Sequence, residues 1–155
     1  MADVFSQLYI QTVFAVKHRQ ALIHPEWEEH LYQYTTGIVQ TRGHKMLAIG
    51  GMPDHIHIFL GLKPAEAISD LVREIKNATN DFIKEHHLSP YNFDWQAGYG
   101  AFSYSRSHIN GVCKYILNQK EHHKKRTFEE EFFKILQDFE VEIGQKKMFD
   151  FFLPD

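Results

Sequence analysis

The chain has 155 residues, of which 43% are hydrophobic and 24% are charged. This size and composition are typical of one globular domain over residues 1–155. No apolar run is long enough to span a bilayer, and the first residues lack the basic and then apolar pattern of a signal peptide. The single cysteine, Cys113, excludes an internal disulfide and a cysteine-based metal cluster. The sequence therefore predicts a cytoplasmic protein that does not bind membranes.

The formal net charge of −3 argues against bulk binding of nucleic acid, although a local basic surface is compatible with it. Basic residues cluster at 17–19 and between 120 and 126, and acidic residues, notably at 129–131, offset them. The eleven histidines make the effective charge sensitive to pH near neutrality.

The first part of the chain predicts a strand and a helix. Residues 6–16 are rich in β-branched and aromatic side chains, which favours a buried central strand. In the polar loop that follows, Lys17 and Arg19 are either simply solvated or in contact with phosphate groups. Pro25 is typical of the first turn of a helix, and Gly43 predicts the helix end.

Two short strands joined by a tight turn are predicted next. We expect a strand over 45–49, a turn over 50–54 and a second strand over 54–62. The short connection favours an antiparallel pair. Because side chains two apart in a strand share a face, His55 and His57 should project together, while the isoleucines beside them point into the core.

A helix, a strand and another helix follow. Apolar residues at helical spacing predict a helix that begins at Pro64. Residues 93–104 predict an aromatic strand with a kink at its glycines. Ser107 is the predicted N-cap of a helix that continues through Gln119.

The last helix is predicted to begin with a capping box, because Thr127 is followed by Glu130 three residues later. Five apolar residues should line its buried face: Phe128, Phe132, Ile135, Leu136 and Phe139. The aromatic tail over 149–154 is expected to pack on the body of the protein or on a partner chain.

The predicted order is β-α-β-β-α-β followed by two helices. This order is typical of the α+β ferredoxin-like arrangement, an antiparallel sheet with helices on one face, here with added C-terminal helices. The core should span about 6–126, and residues 127–155 form the C-terminal helix and tail. In the usual strand order the first and third strands are central neighbours, so the two histidines should lie in the middle of the sheet.

Two pairs of residues are candidates for chemistry. His55 and His57 form either a divalent metal site or an ordinary pair of polar-face histidines. Tyr115 and Gln119 are four residues apart, so they share one face of a helix. A helical tyrosine usually packs, and the oxygen of a glutamine is an acceptable ligand for a hard cation. The residues alone leave these alternatives open.

Three motifs together carry a family resemblance. They are DHIH at 54–57, WQxGYGxFSxS at 95–105 and YILNQxxHH at 115–123. In this order they resemble the single-tyrosine HUH transposases of bacterial single-strand insertion sequences, where HUH means His, a bulky hydrophobic residue, and His. Lys17 and Arg19 after the first strand also match the family pattern. The resemblance extends from the first strand to about Glu131.

The resemblance implies an enzyme that cleaves and rejoins DNA. His55, His57 and Gln119 would hold Mg²⁺ or Mn²⁺, and Tyr115 would attack the scissile phosphate to give a 5′-phosphotyrosine and a 3′-hydroxyl. Phosphate-cradling nucleotide motifs are missing from the sequence, so no nucleotide cofactor is expected. An ordinary tyrosine has a pKa of about 10, and the sequence does not identify the group that assists its deprotonation.

The resemblance also implies partners. The substrate would be single-stranded DNA with small hairpins, and the enzyme would be a homodimer in which the histidines of one chain work with the tyrosine helix of the other. Basic residues that could contact the DNA backbone are Lys17, Arg19, Arg73, Lys76, Arg106, Lys120 and Lys124.

Three alternatives remain. A domesticated relative would cut hairpin repeats in its host genome with the same chemistry. A non-catalytic ferredoxin-like module would bind RNA or a protein through its sheet, without metal dependence or a covalent adduct. A replication initiator or relaxase shares the histidine pair, but such enzymes are usually larger and place the tyrosine differently.

Overall fold

The computed structural model describes residues 2–144, and four strands in this part of the chain form one antiparallel sheet. The strands are β1 (Tyr9–Ala15), β2 (Lys45–Met52), β3 (His55–Gly61) and β4 (Gly100–Tyr104). Their order across the sheet is β2-β3-β1-β4. The predicted central pairing of the first and third strands is therefore confirmed. The aromatic tail over 149–154 lies outside the described residues.

The helices among the described residues follow the predicted order, with one interruption. They are α1 (Pro25–Thr41), α2 (Ile68–Glu85), α3 (Ile109–Leu117), α4 (Gln119–His122) and α5 (Phe128–Asp138). None of them is long and apolar enough to cross a membrane.

The sheet is covered on both faces. Helices α1 and α2 pack on the face that carries Phe14, Ile56 and Ile58. Helix α5 packs on the opposite face against Val13 and its neighbours in β1 and β4, and α3 packs on that same face beside Phe59. The ferredoxin-like α+β fold is thus confirmed, with the C-terminal helices as the second layer. Because β-strand side chains alternate between faces, both histidines of β3 lie under this C-terminal layer.

The predicted strand over 93–104 is wrong in its first half. Only Gly100–Tyr104 forms a strand, and Trp95 makes an isolated bridge with Val16. A loop between Trp95 and β4 interrupts the strand, and in this loop Gly98 has a left-handed φ of +95°. Lys76 fixes this loop, because its Nζ donates to the carbonyls of Gln96 and Gly98, each at 2.7 Å.

The predicted continuous helix from Ser107 through Gln119 is also wrong. A 3-10 turn comes first, and Ser105 rather than Ser107 precedes it. The Ser105 hydroxyl bonds to the Ser107 hydroxyl at 2.9 Å and to His108 Nδ1 at 2.8 Å, so it competes with helix capping. At Asn118, with φ −102° and ψ 23°, the helix breaks before α4 begins.

Smaller differences concern element ends. The first strand begins at Tyr9, β2 continues to Met52, and α2 begins at Ile68 rather than Pro64. The predicted cap of the last helix is confirmed, since Thr127 Oγ1 accepts from the Glu130 amide at 3.2 Å.

The tyrosine-bearing helix α3 lies unusually close to β2. A Cβ atom at Gly50 would be 2.5 Å from the carbonyl oxygen of Ile116. Only a residue without a side chain permits this approach of two backbones. Gly50 therefore sets the distance between α3 and the sheet.

We predict that Gly50→Ala lowers the free energy of unfolding by about 1–3 kcal/mol, because α3 must move away from β2. Urea denaturation followed by circular dichroism measures this change. The matched control is Gly37→Ala in α1, where a Cβ meets no atom within 4 Å; it should be neutral or stabilise by up to about 1 kcal/mol. Equal stability of Gly50→Ala and the wild type would contradict the proposed role of Gly50.

Candidate active site

The two histidines of β3 are fixed by partners on one side of each ring. Both side chains are fully buried, with 0% exposure. His55 Nδ1 bonds to Asp54 Oδ1 at 2.7 Å, and His57 Nδ1 accepts from Gln11 Nε2 at 2.8 Å. These hydrogen bonds fix the orientation of both imidazole rings. They leave both Nε2 atoms directed toward one position below the C-terminal helices.

A second hydrogen bond holds Gln11 in place. The Tyr104 hydroxyl donates to Gln11 Oε1 at 2.7 Å. Gln11 lies in β1, between the strands that carry His57 and Tyr104, and it is 1% exposed. The three residues therefore form a chain of hydrogen bonds across the sheet.

One carboxylate from α5 occupies the position that both histidines face. Glu131 is 0% exposed, and its Oε1 lies 2.9 Å from His57 Nε2 and 3.4 Å from His55 Nε2. Its Oε2 accepts from Gln119 Nε2 at 3.0 Å and from the Tyr115 hydroxyl. A single side chain thus connects the strand histidines with the tyrosine helix.

Gln119 and Tyr115 complete the cluster. Gln119 Oε1 lies 3.2 Å from His55 Nε2 and 3.1 Å from His123 Nε2. The Tyr115 ring centroid is 6.0 Å from that of His57. The structure therefore brings together, within one chain, all four residues that the sequence selected as nucleophile and metal ligands.

The donor atoms suit a divalent metal ion. Ligand atoms of His55, His57 and Glu131 all lie within 4.8 Å of one another. Two imidazoles and a carboxylate, with an amide oxygen of Gln119 beside them, are a common ligand set for divalent cations. The chemistry of the cluster thus fits a metal, and Glu131 adds a ligand that the sequence analysis did not include.

The protonation of the cluster follows from burial and from this carboxylate. Burial alone would lower the pKa of His55, but hydrogen bonds with Asp54 and Glu131 outweigh it and raise that pKa. Burial lowers the pKa of His57. Burial would raise the pKa of Glu131, but the surrounding histidines hold it well below its usual range. Burial and the charge of Glu131 raise the pKa of Tyr115, so its hydroxyl keeps its proton in this arrangement.

The C-terminal layer closes the cluster from above. The Phe128 ring lies flat on the His55 ring, with centroids 3.8 Å apart and planes 3° apart. Glu131 follows three residues later on the same face of α5. Phe128 and Glu131 therefore cover the histidines on this face of the sheet.

A basic cleft opens beside the closed cluster, next to Asp54. Its volume is about 610 Å³, and Arg19, Lys124, Lys125 and Arg126 line it. Arg19 has a left-handed φ of 53°, a strained conformation for a non-glycine residue. Two of the predicted DNA contacts, Arg19 and Lys124, thus lie on one surface.

The other predicted DNA contacts do not lie on this cleft. Arg73 is 2.8 Å from Asp70 and Lys120 is 2.7 Å from Glu28, each pair on an exposed helix surface. Lys76 is bonded to two loop carbonyls, and burial lowers its pKa to about 8. The two remaining candidates begin the 3-10 turns that follow β1 and β4: Lys17 and Arg106.

Sequence reasoning missed Glu131, which it counted only among the acidic residues at 129–131 that offset the basic clusters. A signal was present, because Glu131 is three residues after Phe128 and four before Ile135, within the apolar stripe of the helix. A carboxylate at a buried helical position requires a charged or hydrogen-bonding partner. Gln11 and His123 also belong to the cluster. Gln11 was not selected, because it lies within a strand that was predicted only to be buried.

Comparisons with known proteins identify the family of this chain. Residues 4–119 match the family described as "Transposase IS200 like". The ISDra2 transposase TnpA of Deinococcus radiodurans is 26% identical over 120 residues, which cover 74% of this chain and 86% of that protein.

Solved structures show the same fold. A Deinococcus radiodurans R1 crystal structure, assigned as a transposase, has a TM-score of 0.61 at 24% identity and covers 77% of this chain and 95% of its own. A REP-associated tyrosine transposase bound to a REP hairpin has a TM-score of 0.57 at 17% identity, covering 79% and 74%. The family match spans well over half of the sequence and includes both histidines, Tyr115 and Gln119. The chain therefore belongs to the IS200-like transposase family.

Proposed function

We propose that this transposase cleaves and rejoins single-stranded DNA at hairpin-bearing element ends through a 5′-phosphotyrosine, in the bacterial cytoplasm. One observation carries the proposal. A single buried carboxylate, Glu131, contacts the Tyr115 hydroxyl, the Gln119 amide and the Nε2 side of the histidine pair. A nucleophile beside a metal-binding cluster is the arrangement that covalent phosphoryl transfer requires.

Single-stranded DNA is the substrate that the surface supports. The basic cleft offers four cations directly beside His55 and its partner Asp54, and such grooves track a DNA backbone. The REP-associated relative with the same fold is described in complex with a hairpin. We extend that substrate class to this chain as part of the proposal.

Metal binding is assigned to His55 and His57, with Glu131 and Gln119 as the oxygen ligands. When bound, Mg²⁺ or Mn²⁺ supplies Lewis-acid polarisation of the scissile phosphate. The two imidazoles favour Mn²⁺, because nitrogen ligands suit transition metals better than Mg²⁺. No nucleotide cofactor enters the proposal.

Tyr115 performs the first displacement. Its oxygen forms a bond to phosphorus, and the bond from phosphorus to the 3′-oxygen breaks and leaves a 3′-hydroxyl. Glu131 Oε2 accepts the hydroxyl hydrogen bond and orients the phenol; the phenol proton is released as the new bond forms, and the leaving 3′-oxygen takes up a proton. In the second displacement a 3′-hydroxyl attacks the phosphotyrosine and restores Tyr115. The phosphodiester energy is conserved throughout, so ATP is not required.

We predict that Tyr115→Phe abolishes a metal-dependent covalent adduct, because the phenyl ring has no nucleophilic oxygen. The measurement is a denaturing gel of protein incubated with labelled single-stranded DNA from the genomic flanks of its gene, with Mn²⁺ or with EDTA. Tyr91→Phe is the matched control, since Tyr91 is 70% exposed and should keep full activity. An adduct that persists in Tyr115→Phe would refute the assignment, and no adduct in the folded wild type would favour a non-catalytic module.

Glu131 and Gln119 are distinguished as ligands by metal-dependent stability. Mn²⁺ at about 100 times its Kd should stabilise the wild type by about 2.7 kcal/mol, a rise in Tm of roughly 5–10 °C. We predict that Glu131→Gln loses most of this rise, because a neutral amide binds a cation less tightly than a carboxylate. Differential scanning fluorimetry measures it.

The adjacent Glu130→Gln is the control for that experiment, because Glu130 lies on the exposed side of α5. It should keep the full metal-dependent rise in Tm. If Glu131→Gln also keeps it while Gln119→Leu loses it, then Gln119 alone completes the ligand set and Glu131 does not bind the metal.

The homodimer with shared active sites stays a prediction from the family resemblance. The contact of Tyr115 with Glu131 of its own chain supports a site that one chain completes by itself. The shared-site prediction expects that mixing Tyr115→Phe with His57→Ala protein restores adduct formation. Absence of restoration would instead support a site that one chain completes.

A domesticated endonuclease remains the second candidate, because one relative of this fold is REP-associated. Its chemistry would be identical. The distinction is whether the cleaved hairpins flank the gene itself or recur throughout the genome, which sequencing of DNA bound by Tyr115→Phe protein determines.

A further inference from the structure

A second cavity lies on the Tyr115 side of the cluster, between β4, α3 and α5. Its volume is about 590 Å³, within the range of cavities that hold small ligands. Tyr115 itself is part of the wall. A ligand in this cavity would therefore lie next to the Tyr115 side chain.

The walls of the cavity are largely apolar and aromatic. The rings of Tyr104 and Phe139 meet edge to face, with centroids 5.2 Å apart, and Val112 and Ile135 add aliphatic surface. The Tyr104 ring is fixed, because its hydroxyl donates to Gln11. A rigid aromatic wall with hydroxyl groups at its rim suits the flat, polar-edged heterocycle of a nucleobase.

The cavity lining has two cations, Arg126 and Lys134, and one acid, Asp138, so its net positive charge suits a phosphodiester chain. Arg126 lines both this cavity and the basic cleft, so it lies where a strand would pass from one to the other. Its positive charge also acts on the Tyr115 hydroxyl, where it lowers the pKa against the larger opposing effects of burial and Glu131. A base in the cavity would thus leave its phosphate between Arg126 and Tyr115.

Gly111 keeps this cavity open. It lies one helical turn before Tyr115 on the same face of α3, and it lines the cavity. A Cβ atom there would meet no atom within 4 Å. Neither packing nor a left-handed φ requires glycine at this position, and glycine inside a helix is unfavourable by about 1 kcal/mol relative to alanine. What glycine provides at this position is therefore the open space of the cavity, which a side chain would fill.

We propose that this cavity receives the nucleobase of the nucleotide adjacent to the phosphate that Tyr115 attacks. The inference rests on the proposed function and specifies how the substrate strand is positioned there. The base stacks against Tyr104 and Phe139 and fixes the strand so that its phosphate faces the tyrosine oxygen.

The first test uses the wild-type protein and a DNA strand that it cleaves. Single abasic sites are moved one nucleotide at a time across the cleavage point, and the rate of adduct formation is measured. We expect the rate to fall about tenfold at one nucleotide beside the scissile phosphate, since loss of one base removes its stacking on the aromatic wall. Equal rates at every abasic position would overturn the proposal.

The second test fills the cavity from the protein side with Gly111→Leu, and Gly37→Leu in α1 is the matched control. Both positions are helical, and at both a Cβ meets no atom within 4 Å. Gly111→Leu should lower the rate about tenfold on intact DNA and lose the sensitivity to the abasic site. Gly37→Leu should keep the wild-type rate and sensitivity. Circular dichroism and the Mn²⁺-dependent rise in Tm check that each variant is folded.

The outcomes separate the two levels of the proposal. If the wild type cleaves and Gly111→Leu cleaves equally well, the cavity does not hold a base and the proposed function stands. If the wild type forms no adduct with any strand or metal, the proposed function fails, and the nucleobase site fails with it. If Gly111→Leu is unfolded, the abasic scan on the wild type decides alone.

Discussion

The buried carboxylate of Glu131 is the group around which the sheet and the C-terminal helices are packed. A carboxylate without solvent is costly unless charged and hydrogen-bonding groups surround it. Glu131 meets this requirement with His55, His57, Gln119 and the Tyr115 hydroxyl. The same contacts tie α5 to the middle of the sheet and to the end of α3. The cluster is therefore a structural centre as well as a chemical one.

Most of the fold could be predicted because its signals are local. Strand alternation placed His55 and His57 on one face, and the short connection at Pro53 and Asp54 gave an antiparallel pair. The error over 93–104 came from a side chain that binds the backbone at a distance. Lys76 lies in α2, and its side chain holds the loop before β4. The sequence of residues 93–104 does not contain that contact, so it could not predict the loop.

The candidate site was predictable in part. The family resemblance identified four of its residues, because the three motifs that carry it stand in order along the chain. Glu131 could not be recognised from spacing, since it reaches the histidines only after α5 folds back over the sheet. The net acidic charge was similarly uninformative about binding, because four basic residues lie together in the cleft and outnumber its two acidic residues, Asp54 and Glu130.

The position of α5 along the chain has a consequence for how the cluster assembles. The histidines come from β3, whereas the carboxylate that joins them to Tyr115 comes from the last described helix. The contact of His57 with Glu131 spans 74 residues of sequence, so it forms only once distant parts of the chain have assembled. A chain with a frayed or incompletely folded end keeps its tyrosine but lacks the completed cluster. Assembly of the cluster therefore depends on the folding of the C-terminal layer over the sheet.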